Sequence, residues 1–78
     1  MSEHQMLNQL KEELISAIEE EMVTNNLSQA EVARQVGVLR RNFNQILGRK
    51  RAVTIDQLLK IAEVIELQVE FKFRKMKT

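Results

Sequence analysis

The sequence contains no proline and only two glycines in 78 residues, so few positions can interrupt a helix. Hydrophobic residues make up 44% and charged residues 29%, a balance typical of an ordered domain. The absence of cysteine excludes a disulfide framework and a thiolate metal site. A chain of this length holds one small domain, so we expect a single, mainly helical domain over residues 1–78. Only packing can stabilise a core this small, so the margin of stability is thin. Chains of this size often share their core with a second chain, and we expect a dimer.

Residues 1–26 carry apolar side chains at the spacing of one long helix. The stripe steps by three or four residues, which places its members on one helical face: Leu7, Leu10, Leu14, Ile18 and Met22. Asn25 and Asn26 are expected to end the helix, because asparagine tolerates the left-handed conformation. We therefore predict a helix from Ser2 to about Thr24, whose first two turns are available to pack on a second subunit.

Two further helices are predicted from the polar residues that begin them. Ser28 with Glu31, and Thr54 with Gln57, have the spacing of a capping box. The first box opens a short helix that Gly37 ends, since glycine adopts positive φ without penalty. The inward residues of that helix are Val32, Ala33 and Val36. The helix after Thr54 has an apolar face formed by Ile55, Leu58, Leu59, Ala62 and Ile65.

Between these two helices, a segment from about Arg40 to Leu47 has one apolar and one polar face. A step of 100° per residue groups its apolar side chains within about 60° of Phe43. The predicted buried face is Leu39, Phe43, Ile46 and Leu47. The opposite face is polar and cationic: it holds Arg41, Asn44 and Gln45, and Arg40 lies beside it at the start of the helix.

Charge is distributed unevenly along the chain, although the net charge is only +1. Residues 1–27 contain one base and six acids, whereas residues 28–60 contain seven bases and two acids. Such asymmetry predicts that a polyanion meets the middle of the chain. The acidic first helix faces away from it in this interpretation.

After Glu66 the apolar period changes from that of a helix to that of a strand. Apolar and polar residues alternate over residues 67–74, and no other strand pattern is visible in the sequence. A lone strand leaves its backbone groups unpaired. We therefore predict that two copies pair antiparallel about a two-fold axis in a homodimer, and that the strands bury Val69, Phe71 and Phe73 against the fourth helix.

Residues 27–66 have the order and spacing of a helix-turn-helix unit and the helix that follows it. Ala33 lets the two helices approach closely, and Gly37 supplies the turn. Arginine can donate two hydrogen bonds to guanine, and asparagine or glutamine can pair with adenine. We predict base contacts by Arg40, Arg41, Asn44 and Gln45. We predict phosphate contacts, which set the register, by Gln29, Arg49, Lys50 and Arg51.

At these residues the sequence resembles a known family. The segments LSQAEVARQVGV (27–38) and RRNFNQILGRKR (40–51) are similar to the Cro/repressor-type (XRE) DNA-binding domain, and within it to antitoxins of the HipB and HigA kind. The resemblance implies a lambda-repressor-like fold of four to five helices, a strand that pairs across a dimer, and an autoregulated operator with two half-sites in a bacterium or phage. Two positions depart from the family: Leu39 stands where Ser, Thr or Asp usually caps the recognition helix, and Glu66 where Gly is frequent.

The predicted function is sequence-specific binding of double-stranded DNA by a dimeric repressor that needs no cofactor. His4 is the only histidine, so a metal site or histidine-based catalysis lacks a second group, and we predict no enzyme. Two alternatives stay open: an antitoxin that also binds a toxin through the acidic face of the first helix, and a protein–protein adaptor without DNA binding. No apolar run approaches the length that crosses a bilayer, and an acid follows Met1-Ser2, so we expect a cytoplasmic protein.

Overall fold

The computed structural model describes residues 3–67, which form four helices: α1 (Glu3–Thr24), α2 (Gln29–Val36), α3 (Arg40–Leu47) and α4 (Ile55–Val64). The mainly helical prediction and the four helix positions are confirmed to within about a residue. The predicted strand, with its dimer residues Val69, Phe71 and Phe73, lies outside the described residues, apart from Leu67.

One core joins all four helices. Helix α2 packs against α3 and α4, and α1 packs against α4 and α3. Ile18 of α1, Phe43 of α3 and Leu58 of α4 are fully buried, and Ala33 of α2 is 1% exposed, so all four helices contribute to the core. The other buried residues are Leu14, Ile15, Met22, Val32, Val36, Ile46, Leu47, Val53, Ile61, Ala62 and Ile65.

The α1 stripe is buried from Leu14 onward and exposed near the start of the helix. Ile18 and Met22 are buried, whereas 41% of Leu7 and 59% of the neighbouring Met6 are exposed. The stripe therefore covers the core with its last three members, and its first turns are more exposed.

The predicted capping box forms completely at the start of α4 and only in part at the start of α2. At α4, Thr54 accepts from the N–H of Gln57 and the Gln57 side chain accepts from the N–H of Thr54, so the capping box is complete. At α2, Ser28 accepts from the N–H of Glu31. The Glu31 carboxylate bonds Arg34 and Gln35 instead of returning to Ser28, so only half of that box forms.

All four helices end in a Schellman turn, in which one residue adopts the left-handed conformation and the next N–H reaches back five residues. The left-handed residues are Asn26 (φ 55°), Gly37 (φ 89°), Arg49 (φ 59°) and Glu66 (φ 60°). The reaching N–H groups belong to Leu27, Val38, Lys50 and Leu67, at 2.8–3.0 Å from their acceptors. Only one of the four positions is a glycine, so three side chains occupy a conformation that L-residues adopt at a cost. Glu66 thus makes the turn that glycine often makes in the family that the sequence resembles.

Candidate nucleic-acid interface

The turn between α2 and α3 is built from one small residue and one glycine. Ala33 is 1% exposed, and its carbonyl accepts from the N–H groups of both Gly37 and Val38. A Cβ on Gly37 would meet nothing within 4 Å, so the glycine is required by its φ of 89° and not by crowding. The turn therefore folds α3 back against α2, as the sequence predicted.

The faces of α3 are separated as the helical projection predicted. Phe43, Ile46 and Leu47 are buried in the core. Arg40, Arg41 and Asn44 are exposed, and Gln45 is half-buried. The fully buried side chain of Phe43 anchors α3 in the core, and the polar and cationic face of the helix is thereby directed outward.

The prediction that Leu39 lies on the buried face is wrong. Leu39 is the N-cap of α3, its backbone is extended (φ −68°, ψ 143°), and 63% of the residue is exposed. A step of 100° per residue applies only inside a helix, so the projection placed a residue that precedes the helix on the wrong side. The N-cap position also lacks a side-chain acceptor for the N–H groups of the first turn.

Gln29, a predicted phosphate contact, is bonded to Asn44, a predicted base contact. Asn44 Nδ2 donates to Gln29 Oε1 at 3.1 Å, and this bond joins the start of α2 to the outer face of α3. Both side chains lie at the surface of the helix-turn-helix unit and fix each other's orientation. The amide nitrogen of Gln29 and the amide oxygen of Asn44 remain directed elsewhere and retain hydrogen-bonding capacity.

The remaining cations of this surface differ in how far their charge is compensated. The side chains of Arg40, Arg41 and Lys50 form no hydrogen bond or ion pair with the side chains that the structure describes, those of residues 5–67. Arg51 Nη1 donates only to neutral groups, the amide oxygens of Asn42 at 3.3 Å and Gln45 at 3.4 Å. These four cations therefore carry uncompensated positive charge.

Arg49, the fourth predicted phosphate contact, is placed differently from the other three. Its Nε and Nη2 lie 2.9 and 2.8 Å from Glu12 Oε1. Its Nη2 also donates to Ser16 Oγ at 3.1 Å, and its Nη1 donates to Glu19 Oε1 and to the carbonyl of Leu47. The guanidinium is thus bonded to α1 through all three nitrogens.

The carboxylates beside Arg49 favour its protonated form. The hydrogen bond to Glu12, assisted by Glu19, raises the pKa of the Arg49 guanidinium above its ordinary value against the opposing effect of burial. A second surface pair has the same character: bonds from Arg34 and Gln35 hold the pKa of Glu31 below its usual value. Both arginines therefore stay charged, and Glu31 stays ionised to lower pH than a free glutamate.

Sequence reasoning missed the residues that hold Arg49 in place, namely Glu12, Ser16 and Glu19. Their signal was present, because positions i, i+4 and i+7 share one face of a helix. Nothing in the sequence indicates that Arg49 adopts positive φ and so turns toward that face. The acidic residues of α1 are therefore not a uniform solvated surface.

Within residues 3–67, no group of three or more His, Asp or Glu side chains could hold a metal ion. No helix in the described part of the chain is long and apolar enough to cross a membrane.

The geometry above agrees with a comparison against protein families. The model of the family described as helix-turn-helix domain matches residues 1–74, which is nearly the whole chain. The curated proteins and the solved structures give no match to this chain. The family match suggests DNA binding and covers both the packed helices and the outward face of α3. The chain therefore belongs to the helix-turn-helix domain family.

Proposed function

We propose that the protein is a sequence-specific regulator of transcription that binds double-stranded DNA as a homodimer and represses by occupying its operator. One observation supports this most: α3 exposes two unpaired cations, Arg41 on the face opposite Phe43 and Arg40 beside that face at the start of the helix. An α-helix of this kind fits the major groove of B-DNA. We propose a cytoplasmic location on the same ground, because a DNA-binding regulator acts where its DNA lies.

The base contacts belong to the outward residues of α3: Arg40, Arg41, Asn44 and Gln45. Arginine donates two hydrogen bonds to guanine O6 and N7, and the amides of Asn44 and Gln45 match adenine N6 and N7. The bond between Gln29 and Asn44 supports this reading, because it fixes the amide of Asn44 before DNA arrives. A pre-oriented amide loses less side-chain entropy when it meets a base.

The phosphate contacts belong to Gln29, Lys50 and Arg51, which flank the recognition helix on both sides. Lys50 has no partner among the described residues, and Arg51 is bonded only to neutral amides. Such cations retain their full attraction for a phosphate, and they set the position of α3 without reading sequence.

Dimerisation is proposed to occur through residues 67–74, with Val69, Phe71 and Phe73 in the interface. Two recognition helices about 34 Å apart would then enter successive major grooves of a pseudo-palindromic site. Phe71→Glu places a charge in that interface, so sedimentation should show a monomer at micromolar concentration. A Phe71→Glu protein that sediments as the wild-type dimer would contradict this arrangement. Phe71→Leu, which keeps the apolar contact, is the matched control.

Selection of bound duplexes from a random pool tests the proposed function as a whole. We expect a site with two related half-sites whose centres lie one helical turn apart, and an affinity that falls steeply as salt rises. The alternatives give other outcomes. An adaptor without DNA function enriches no sequence. An antitoxin enriches the operator and also binds the product of an adjacent gene.

A further inference from the structure

We propose that Arg49 is a positioning residue that fixes the C-terminal end of the recognition helix to α1, and that it makes no phosphate contact. The proposal rests on the proposed DNA-binding function and reassigns one residue of it. It follows from the bonds, the backbone conformation and the charge balance around Arg49.

All three nitrogens of the Arg49 guanidinium are bonded to neighbouring residues. A guanidinium has five N–H donors. Those of Arg49 are directed at Glu12, Ser16 and Glu19 of α1 and at the carbonyl of Leu47. The acceptors on α1 lie at positions i, i+4 and i+7, so they form one line about 10 Å long on a single helical face. This leaves no donor geometry for a bidentate contact with phosphate.

The backbone of Arg49 connects its guanidinium to the end of α3. Arg49 is the left-handed residue of the turn that ends α3, with φ 59°, and it lies directly after Gly48. Its N–H donates to the carbonyl of Ile46 at 3.2 Å, and the N–H of Lys50 donates to the carbonyl of Gln45 at 2.8 Å. Because the turn and the guanidinium belong to one residue, bonds to α1 fix the last turn of α3. They also fix the direction in which Lys50 and Arg51 leave it.

The charges around Arg49 disfavour a phosphate contact. Two carboxylates, Glu12 and Glu19, surround the single positive charge of Arg49, so the local balance is negative. A phosphate at this point would meet that excess negative charge, whereas a phosphate beside Lys50 or Arg51 would not. The side chain of Arg49 is 35% exposed, so the two carboxylates, and not burial alone, withhold it from DNA.

Positioning and phosphate contact make opposite predictions for α1. If Arg49 bound phosphate, Glu12→Gln/Glu19→Gln would release the cation and remove two negative charges, and DNA would bind more tightly. If Arg49 positions α3, the same double variant loosens the last turn of α3. In that case it weakens the selected duplex relative to a mixed-sequence duplex, as Arg49→Gln does.

The experiment measures fluorescence anisotropy of the selected duplex and of a mixed-sequence duplex of equal length over a series of salt concentrations. Arg51→Gln is the matched control, and its log–log salt slope should fall by about 1. Arg49→Gln should keep the wild-type slope and lose at least part of the preference for the selected duplex. Arg49→Lys, which retains the charge but lacks the planar donor set, should not restore that preference.

Two results would overturn the proposal. One is a salt slope that falls by about 1 in Arg49→Gln and returns in Arg49→Lys, because a phosphate contact needs only the charge. The other is a Glu12→Gln/Glu19→Gln protein that binds both duplexes more tightly and keeps the full wild-type preference for the selected duplex, because release of a phosphate-binding cation would not disturb α3. Failure of the proposed function is distinguishable, because then no duplex is preferred even by the wild type. In that case the free energy of unfolding alone tests the contact between Arg49 and α1. The effects of Arg49→Gln and Glu12→Gln/Glu19→Gln on this free energy should not add up in the triple variant.

Discussion

Gly37 and Glu66 occupy the same kind of turn, so exchange of their residue types should shift stability in opposite directions. Both have φ in the left-handed region, at 89° and 60°. For L-residues this region costs about 1–2 kcal/mol per residue, and glycine adopts it freely. Gly37→Ala should therefore destabilise the domain, and Glu66→Gly should stabilise it.

The magnitude for Gly37→Ala comes from the backbone alone. A Cβ at this position would meet no heavy atom within 4 Å, so no steric clash adds to the cost. Alanine also reduces the entropy of the unfolded chain, which offsets about 0.4–1 kcal/mol. The net loss is then about 1 kcal/mol. For Glu66→Gly the two effects reverse in sign, and the net gain is smaller than about 1 kcal/mol, because glycine increases the freedom of the unfolded chain.

Urea denaturation at one fixed protein concentration measures both variants, since a dimer makes apparent stability depend on concentration. A change of 1 kcal/mol corresponds to about 4–8 °C in the melting temperature for a domain of this size. Gly48→Ala is the control at normal φ. Gly48 has φ −81°, and its added Cβ would lie 3.3 Å from the Asn44 carbonyl, so any loss there is a packing effect. A neutral Gly37→Ala, or a Glu66→Gly that destabilises, would refute this reasoning.

Three further predictions concern the caps and the surface pair. Thr54→Ala removes the acceptor of a complete capping box and should cost about 0.5–2 kcal/mol by urea denaturation; a loss below that range would mean that water replaces the cap. Leu39→Ser adds an acceptor at an N-cap that has none, and because 63% of Leu39 is exposed, it should stabilise the domain by up to about 1 kcal/mol. The pKa of Glu31, followed by carboxyl NMR shifts, should lie below its ordinary value of 4.5 and rise toward it in Arg34→Ala. Since the folded-state pKa is lowered, the stabilisation is present above pH 4.5 and is lost as pH falls through the folded value; an Arg34→Ala protein with unchanged Glu31 titration would contradict the pairing.

The helices of this fold could be predicted from the sequence because local signals set them. The period of the apolar residues located α1 and α4, and capping residues such as Ser28 and Thr54 located helix starts. The buried face of α3 followed from Phe43, Ile46 and Leu47 in the same way. Ile15, Val53 and Ile61 are buried but were not assigned to the core, because tertiary packing widens the buried face beyond a single stripe.

The sequence predicts which side chains of the candidate site face outward, but it does not predict the hydrogen bonds that these side chains form. Exposure of Arg41 follows from helical periodicity alone, whereas Arg40 lies only about 60° from Phe43 in that projection and is exposed at the first position of the helix. The bond between Asn44 and Gln29 depends on how closely α2 and α3 approach, and the sequence does not encode that distance locally. The placement of Arg49 depends on a left-handed turn at a non-glycine residue, which propensity does not indicate.

Repeated selection from the random pool with Arg41→Ala and Lys50→Ala tests the central claim most directly. Arg41 lies on the outward face of α3, so its removal should abolish the preference at one base position per half-site and weaken the selected duplex by about 1–3 kcal/mol. Lys50→Ala should keep every base preference and weaken all duplexes alike. Base preferences that survive unchanged in Arg41→Ala, with an affinity equal to that of the wild type, would contradict the claim that α3 reads DNA.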